Sequence, residues 1–313
     1  MPDLPPVTIL LAVYNGGLHL SEQLDSFAAQ ERSDWRLIIS DDGSTDDSRA
    51  ICADFQTRHG ADRVRLIDGP RAGATRNFLH LVEAVPANVP LAFSDQDDVW
   101  LPQKMVRAAA HLAGRTGPVL YCARTMICDA NLQNRTPSRH FTRPHGFRNA
   151  LVQACTPGNS SVFTPAAAAL LKRGAASAIE HGIEAHDWWA YQVVSAAGGE
   201  VIFDPEPSLL YRQHASNVMG RNDTASGRWR RLTMLMQGDY GSWLAANVDA
   251  LAAVPDLLTP ENSALLARFD QMLTLPGPLA LREISRLGLY RQTGSGDVAL
   301  RLAALTGRLR RPA

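Results

Sequence analysis

The sequence predicts an α/β fold with a mostly parallel sheet flanked by helices, and a helical region after it. Three observations support this prediction. Short apolar runs typical of buried strands alternate with amphipathic segments typical of helices over the first hundred residues. The joints between them are short, as in strand–helix–strand units. Polar, acidic and glycine residues follow three of the apolar runs, where parallel sheets bind their ligands.

Length and composition are compatible with one large domain or a domain with an appendage. The chain has 313 residues, of which 45% are hydrophobic. We expect an α/β domain over residues 1–224 and a helical region over 225–313. The formal net charge is zero, so nothing indicates a nucleic-acid partner. Residues 225–313 contain 11 arginines and 7 acidic residues, a local surplus of +4.

The cysteines and the first residues predict a reduced, cytoplasmic protein. Cys52, Cys122, Cys128 and Cys155 show neither CxxC nor Cys/His metal spacing. The opening "MPDLPP" has no basic segment, and the following "VTILLAV" is too short for a signal peptide or a membrane span. We therefore expect a protein in the cytoplasm or on a membrane surface.

The first hundred residues predict four strands with helices between them. The strands are Val7–Tyr14, Trp35–Ser40, Val64–Asp68 and Pro90–Ser94. The first helix has Leu20, Leu24, Phe27 and Ala28 on one face. The second, with Ile51, Cys52 and Phe55 on one face, is expected to begin at a capping Ser44 or Thr45. A third helix covers about Thr75–Ala84.

Residues 115–220 are more mixed, and the rest of the chain is helical. The run "VLYCARTMICDANLQ" reads as a β-hairpin or two short strands, and "CTPGNSSVF" as a turn entering a strand. Helices are expected at Pro165–Ile179 and in "HDWWAYQVVSAAGG", followed by the strands "VIF" and "LLYRQH". From about Ser226, apolar residues recur at helical spacing.

Polar groups collect at the predicted carboxyl ends of the strands. "YNGG" follows the first strand, "DDGS" the second and "DQDD" the fourth. No G-x-G-x-x-G follows the first strand, which disfavours a dinucleotide fold, and no GxxxxGK[ST] exists, which excludes a P-loop. Asp98 is expected to cap the helix entered at Pro102, and Trp100 to pack in the core.

Asp95 and Asp97 indicate a divalent-metal site. Two acids separated by one residue point to the same side of an extended backbone. Such a pair suits Mg²⁺ or Mn²⁺, which keeps positions open for substrate phosphate oxygens. Tyr14 offers a stacking face for a nucleobase, and Asp42 an acceptor for an imide N–H. The alternatives are ordinary loop or capping acids, a strand-end aromatic and a turn residue. Together the four residues predict a nucleotide-sugar site.

Five motifs carry a resemblance to a known family. "TILLAVYNGG", "LIISDDGSTDDS" and "LAFSDQDDVWLPQK" resemble family 2 inverting glycosyltransferases with the GT-A fold, a Rossmann-like nucleotide-diphospho-sugar transferase fold. The variant "SDQDDVW", with "HDWW" and "YRQHASNV", is most similar to the bacterial rhamnosyltransferase-like branch. The resemblance covers roughly residues 6–220. It implies metal-dependent transfer of a sugar, either rhamnose from dTDP-rhamnose or a hexose from a UDP donor, to a surface polysaccharide or lipid-linked glycan.

The resemblance also implies roles for individual residues. On the donor side these are the base pocket (Ala12, Tyr14, Asn15), the base ligand Asp42, the basic Arg76 near the nucleotide, Asp95 at ribose or metal and the metal ligand Asp97. His214 resembles a late histidine that reaches the diphosphate or the metal.

On the acceptor side, Gly158 and Asn159 are implied to border the sugar, and Asp187 to be the general base. The family often has Glu-Asp at this position, where this chain has His186-Asp187, so the base role rests on Asp187. Trp188 is expected either to shape an acceptor pocket or to pack in the core.

Two further alternatives remain open at this stage. A nucleotidyltransferase would also use metal-binding acids, but no Gly-rich loop studded with Arg or Lys follows the first strand. A non-catalytic relative is expected to lose the metal pair or the base, and this chain keeps both.

At the C-terminus, one helical face carries four apolar residues, with Arg301 and Arg308 off it. They are Val298, Leu302, Leu305 and Leu309. Such a helix lies on an anionic membrane or packs on its own domain.

Overall fold

A computed structural model describes residues 4–213 and 239–311. Its strands are β1 Thr8–Val13, β2 Arg36–Asp41, β3 Val64–Asp68, β4 Leu91–Ser94, β5 Val99–Trp100, β6 Val119–Ala123, β7 Met126–Cys128, β8 Thr136–Pro137, β9 Val162–Phe163, β10 Glu200–Asp204 and β11 Leu209–Arg212. Its helices are α1 Leu20–Ala28, α2 Ser48–His59, α3 Ala74–Ala84, α4 Lys104–Leu112, α5 Phe147–Ala150, α6 Pro165–Glu180, α7 His186–Ala196, α8 Asp239–Ala252, α9 Pro260–Met272, α10 Gly277–Leu287 and α11 Gly294–Leu305.

The main sheet has seven strands in the order β10-β6-β9-β4-β1-β2-β3. β1 runs parallel to β2 and β4, β2 to β3, and β6 to β10. The expectation of a mostly parallel sheet is therefore confirmed. The carboxyl ends of β1, β2 and β4 meet at one edge, because parallel neighbours in register end together.

Two features of the β structure add detail that the sequence analysis left open. β9 runs antiparallel between β4 and β6, so one strand of the main sheet is reversed. Of the two alternatives for segment 119–133, the two short strands are confirmed as β6 and β7, and the hairpin between them is not formed. The two strands belong to different sheets, because β7 pairs with β11 and β8 in a second, four-stranded sheet of order β5-β11-β7-β8.

The helices bury their apolar faces on both sides of the main sheet. α1 and α2 place Phe27 and Phe55 in one cluster with β1 and Trp100, whose burial confirms its core role. α3, α6 and α7 cover the other face. Tyr240 and Leu244 of α8 belong to that second cluster, so the C-terminal helices pack against the α/β part. The expected boundary at 224/225 lies outside the described residues and stays a prediction.

Two expected helix caps are wrong. α2 begins at Ser48, not after Ser44 or Thr45, because the Ser44 hydroxyl accepts the backbone N–H of Asn15 at 2.9 Å. Asp98 does not cap α4, which begins at Lys104 after Gln103. Asp98 is instead fully buried and accepts hydrogen bonds from the Asn159 side chain at 2.6 Å and the Arg212 N–H at 3.3 Å.

The predicted apolar face at the C-terminus is divided. Leu309 is buried, whereas Val298, Leu302 and Leu305 are about half exposed. In the antiparallel hairpin α10–α11, Gly277 lies against the Leu305 carbonyl, and Leu279 is exposed to a similar degree. Among the described residues, no helix is long and apolar enough to cross a membrane.

Candidate active site

The loop after β1 is tied to the loop after β2 by a set of hydrogen bonds. Asn15 accepts the Thr45 N–H on its side-chain oxygen at 2.8 Å. The next two backbone N–H groups donate to Ser48 and Asp46, at 2.8 and 2.9 Å. Asn15 has a φ of 47°, a left-handed conformation that asparagine tolerates better than most residues. Its side chain thus shapes the loop, and its role in a base pocket stays a prediction.

Tyr14 stands at the start of this loop with 57% of its surface exposed. Its ring is therefore available to a ligand at the carboxyl end of β1. Ala12, also predicted for the base pocket, lies inside β1 opposite Ser40 and packs against the core. The structure thus places Tyr14 at the edge of the sheet and Ala12 two residues inside it.

Asp42 organises the loop that follows β3. Its carboxylate accepts backbone N–H groups from Arg71 at 2.6 Å, Ala72 at 3.1 Å and Gly73 at 2.8 Å. A carboxylate with several N–H donors is held in one orientation. The contact with a base predicted for Asp42 stays a prediction, and the structure adds a role in holding residues 71–73.

Arg71 is a candidate that the sequence analysis missed. Its side chain packs over Gly43, where an added Cβ would meet Arg71 atoms at 3.1 Å. It lines a cleft of about 320 Å³ with Asp41, Ser44, Arg49 and other residues at the ends of β2 and β3. The turn "GPRAG" was the available signal, because its residues follow a strand end. The predicted basic residue, Arg76, is exposed in the first turn of α3.

The acids Asp95, Asp97 and Asp98 lie in the loop of residues 95–98 after β4, here called the acid loop, within electrostatic range of one another. Burial, followed by the charges of Asp97 and Asp187, raises the pKa of Asp95 to about 7. Burial, followed by the charges of Asp97 and Asp95, raises the pKa of Asp98 well above its usual range. The structure therefore brings Asp95, Asp97 and Asp187 close enough to interact, although they are up to 92 positions apart in the chain. Like charges crowded in a buried place favour a cation.

A buried lysine lies beneath this group. The ammonium of Lys104 donates to the Asn159 carbonyl at 2.6 Å and sits 3.4 Å from the centre of the Trp100 ring. Asn159 in turn donates its side-chain amide to Asp98. The Asn159 side chain is thus used beneath the acid loop, and its predicted contact with the sugar stays a prediction.

Asp187 lies in the first turn of α7, where the positive end of the helix dipole favours a carboxylate. Its Oδ1 accepts the Trp188 N–H at 2.7 Å, which fixes the side chain at the helix end. Gly158 lies directly against it. An added Cβ at Gly158 would be 3.1 Å from the Asp187 Cβ and 3.0 Å from His186 Nε2. Gly158 and Asp187, both predicted for the site, are thus in contact.

His186 and Trp188 contribute to packing around the base candidate. The His186 ring stacks on Phe78 at 3.8 Å between centroids, and burial lowers its pKa to about 4. The Trp188 indole donates to the Ala150 carbonyl at 2.7 Å and stacks on Tyr240. Trp188 is 4% exposed, which agrees with the packing alternative, and its place in an acceptor pocket stays a prediction. His214 lies outside the described residues.

The residues present are compatible with a divalent cation that substrate oxygens help to hold. Within residues 4–213 and 239–311, no three His, Cys, Asp or Glu side chains are arranged around one metal position. Mg²⁺ and Mn²⁺ are commonly held by one or two carboxylates together with substrate phosphates. Asp95 and Asp97 provide such a pair, and the burial and neighbouring acids that raise the pKa of Asp95 are the conditions in which a cation would be stabilising.

Comparison with known proteins identifies the family and the fold of the chain. Residues 8–179, more than half of the chain, match the family described as Glycosyl transferase family 2. The chain is 26% identical over 260 residues to the dTDP-rhamnosyl transferase RfbG of Shigella flexneri, an alignment that covers 77% of this chain and 84% of RfbG. It is 35% identical over 101 residues to the uncharacterized glycosyltransferase alr2836 of Nostoc, covering 32% and 31% of the two chains.

Among solved structures, the chain resembles S. aureus TarS 1–349 in complex with UDP-GlcNAc. The TM-score is 0.53 at 11% identity, and the match covers 97% of this chain and 90% of TarS 1–349. A likeness at this level of identity bears on the fold alone. It confirms the expected GT-A architecture.

Proposed function

Because the chain belongs to glycosyl transferase family 2, we propose that it transfers a sugar from a nucleotide-sugar donor to an acceptor hydroxyl, with inversion at the anomeric carbon. The observation that carries this proposal is that Asp187, at the start of α7, lies within electrostatic range of Asp95, which Asp97 also influences in the loop after β4. A divalent cation at the diphosphate calls for one or two carboxylates, and proton abstraction calls for another nearby. Asp95 and Asp97 would serve the first purpose and Asp187 the second.

In the proposed reaction each group has a separate task. Tyr14 stacks on the base, and Asp187 accepts the proton of the acceptor hydroxyl as its oxygen attacks the anomeric carbon. The nucleoside diphosphate leaves from the opposite face, so one displacement inverts that carbon and no enzyme nucleophile is needed. Asp95 and Asp97 would hold Mn²⁺ or Mg²⁺, which when bound supplies Lewis-acid stabilisation of the leaving diphosphate.

Rhamnose from dTDP-rhamnose is the donor we favour, because RfbG, which aligns with this chain over most of both lengths, is named a dTDP-rhamnosyl transferase. A UDP-hexose is the alternative, because uracil and thymine present the same imide edge. The acceptor we propose is a cell-surface polysaccharide or lipid-linked glycan. The donor and the acceptor are both proposals that go beyond family membership, and the donor is the first to test.

The test is a donor panel with the purified chain and Mn²⁺ or Mg²⁺. dTDP-rhamnose, UDP-glucose, UDP-galactose, UDP-N-acetylglucosamine and GDP-mannose are compared by nucleoside diphosphate release and by thermal stabilisation. We expect an EDTA-sensitive response to dTDP-rhamnose. Asp97→Asn should reduce the metal-dependent release of nucleoside diphosphate and the metal-dependent thermal stabilisation. Asp62→Asn, at an exposed acid in a loop, should change neither. A folded protein that responds to no donor would contradict the proposed function.

We also propose that the chain works at the inner face of the cytoplasmic membrane, through the α10–α11 hairpin. Leu279, Val298, Leu302 and Leu305 present about half of their surfaces to solvent on these two helices. Residues 277–311 contain seven arginines and two acids, a surplus of +5. Apolar side chains within a cationic segment are typical of helices that lie on anionic lipid.

Vesicle sedimentation tests this contact. The chain should bind phosphatidylglycerol-containing vesicles more strongly than phosphatidylcholine vesicles, and a Leu302→Ser, Leu305→Ser double variant should bind ~10-fold more weakly. Leu18→Ser is the control, because Leu18 is an exposed leucine outside the hairpin. Equal binding to both lipids, or a dimer in light scattering that the double variant abolishes, would contradict a membrane role for this surface.

A further inference from the structure

The side chain of Gln96 joins the acid loop to the loop after β1. The Tyr14 backbone N–H donates to Gln96 Oε1 at 2.9 Å, and Gln96 Nε2 donates to the Tyr14 carbonyl at 3.0 Å. One side-chain amide therefore satisfies both backbone groups of the residue predicted to stack on the base. The two residues are 82 positions apart in the chain.

The position of Gln96 follows from the turn of the chain after β4. The strand ends at Ser94, and residues 96 and 97 form a bend between the acids Asp95 and Asp97. From this bend the Gln96 side chain reaches the backbone of Tyr14, so the segment that carries both acids is tied to the loop after β1.

Gly16 leaves room for this contact. A Cβ added at Gly16 would lie 2.4 Å from Gln96 Oε1 and 2.5 Å from its Cδ, closer than real Cβ atoms approach other atoms. The Gln96 end is flexible and could swing away, but it would then lose both hydrogen bonds. A glycine at position 16 is thus required for the amide to reach Tyr14.

From this geometry we propose that Gln96 is a positioning residue that fixes the loop of residues 14–17, here called the nucleobase loop, relative to Asp95 and Asp97, the carboxylates proposed to hold the cation at the diphosphate. The inference rests on the proposed function and names a residue that acts on the donor through Tyr14. A ligand that spans both loops gains affinity from their fixed separation, because its second contact is made intramolecularly. A ligand that touches only the nucleobase loop gains nothing from it.

The chemistry at this position is specific for glutamine. Glutamate would keep the acceptor for the Tyr14 N–H but lose the donor to the Tyr14 carbonyl, and would add a negative charge beside Asp95 and Asp97. Asparagine is one methylene shorter, and alanine removes both hydrogen bonds. Gln96→Ala is therefore the variant that removes the link without adding charge.

The experiment compares a nucleoside with its diphosphate. Calorimetry with Mn²⁺ gives the Kd of each for the wild type, Gln96→Ala and the control Gln103→Ala, whose exposed side chain makes no capping hydrogen bond. The nucleoside is uridine or thymidine, whichever base the donor panel selects. In Gln96→Ala we expect the diphosphate Kd to rise ~10-fold, from two lost hydrogen bonds, and the nucleoside Kd to change less than ~3-fold. In turnover, KM for the donor should rise ~10-fold and kcat should change less than ~3-fold.

Gly16→Ala reaches the same link from the other side. Alone it should raise the diphosphate Kd about as much as Gln96→Ala does, and added to Gln96→Ala it should change that Kd by less than ~2-fold. The inference would be overturned if the two substitutions raised the diphosphate Kd additively. It would also be overturned if Gln96→Ala raised the Kd of nucleoside and diphosphate equally, because that result indicates only a loss of local structure. If the wild type binds the diphosphate and Gln96→Ala binds it with the same Kd, this inference alone is overturned. If the wild type binds neither nucleoside nor diphosphate, the proposed function is overturned as well.

Discussion

Asp95→Asn should make the metal-free protein more stable above neutral pH while removing its response to metal. Asp95 lies at the end of β4, mostly buried, within the electrostatic influence of Asp97 and Asp187. Charge at this position is costly in the absence of a cation. Asparagine has nearly the same shape and no charge, so the substitution removes the cost without creating a cavity.

The magnitude follows from the pKa of Asp95, which burial, Asp97 and Asp187 raise from 3.8 to about 7. Between these two values the folded protein holds a proton that the unfolded chain has lost, so stability falls as pH rises. The loss is absent below pH 3.8 and complete above about pH 7. A rise of about three in pKa corresponds to ~4 kcal/mol at most, and relaxation of the loop reduces the expected gain to ~1–3 kcal/mol.

Urea denaturation in EDTA at pH 5, 6.5 and 8 measures this gain. The free energy of unfolding of Asp95→Asn should exceed that of the wild type by ~1–3 kcal/mol at pH 8 and by progressively less toward pH 5. Mn²⁺ should stabilise the wild type at pH 8 and have little effect on Asp95→Asn. The control is Asp62→Asn, at an exposed acid that is far from the acid loop along the chain.

An equal or lower stability of Asp95→Asn at pH 8 would refute the reasoning. So would a difference that does not change between pH 5 and pH 8, because a pH-independent effect reports packing or hydrogen bonding and not the ionisation of Asp95. In either case the charge of Asp95 would not destabilise the metal-free protein, and contacts within the protein would have to stabilise the acid loop without a cation.

The remaining predictions concern the base, its neighbour and a buried ion pair. Asp187→Asn should lower kcat ~10²–10⁴-fold in single-turnover assays and leave donor affinity nearly unchanged, and transfer at the parental rate would contradict a general base here. Gly158→Ala should lower the free energy of unfolding in urea by ~1–3 kcal/mol and lower kcat ~10-fold, because the added Cβ would press on Asp187. Gly117→Ala is the control and should do neither, because an added Cβ there meets no atom within 4 Å. Asp204→Ala should cost ~2–4 kcal/mol in the same denaturation, because it removes the buried partner of Arg107, and a loss below 1 kcal/mol would show that the pair is well solvated.

Local patterns in the sequence were sufficient for the first half of the fold. The strands β1 to β4 and the helices between them follow from apolar runs and helical spacing over a few residues, which act through nearest neighbours along the chain. The polar groups after three strands predicted one functional edge, since parallel strands end together. The motifs around Tyr14, Asp42 and Asp97 indicated the family, and the comparisons bear this out.

The tertiary structure decided what depends on residues far apart in the chain. The pairing of β9 with β4 and that of β11 with β7 join residues about 70 to 84 positions apart, which no local pattern encodes. The same holds for Asp98, which turns from a supposed cap into a buried acceptor for Asn159, and for Gln96, which reads in the sequence only as the spacer between two acids. A side chain's partners are chosen by the folded geometry, because hydrogen bonds act over about 3 Å in space and are indifferent to separation along the chain.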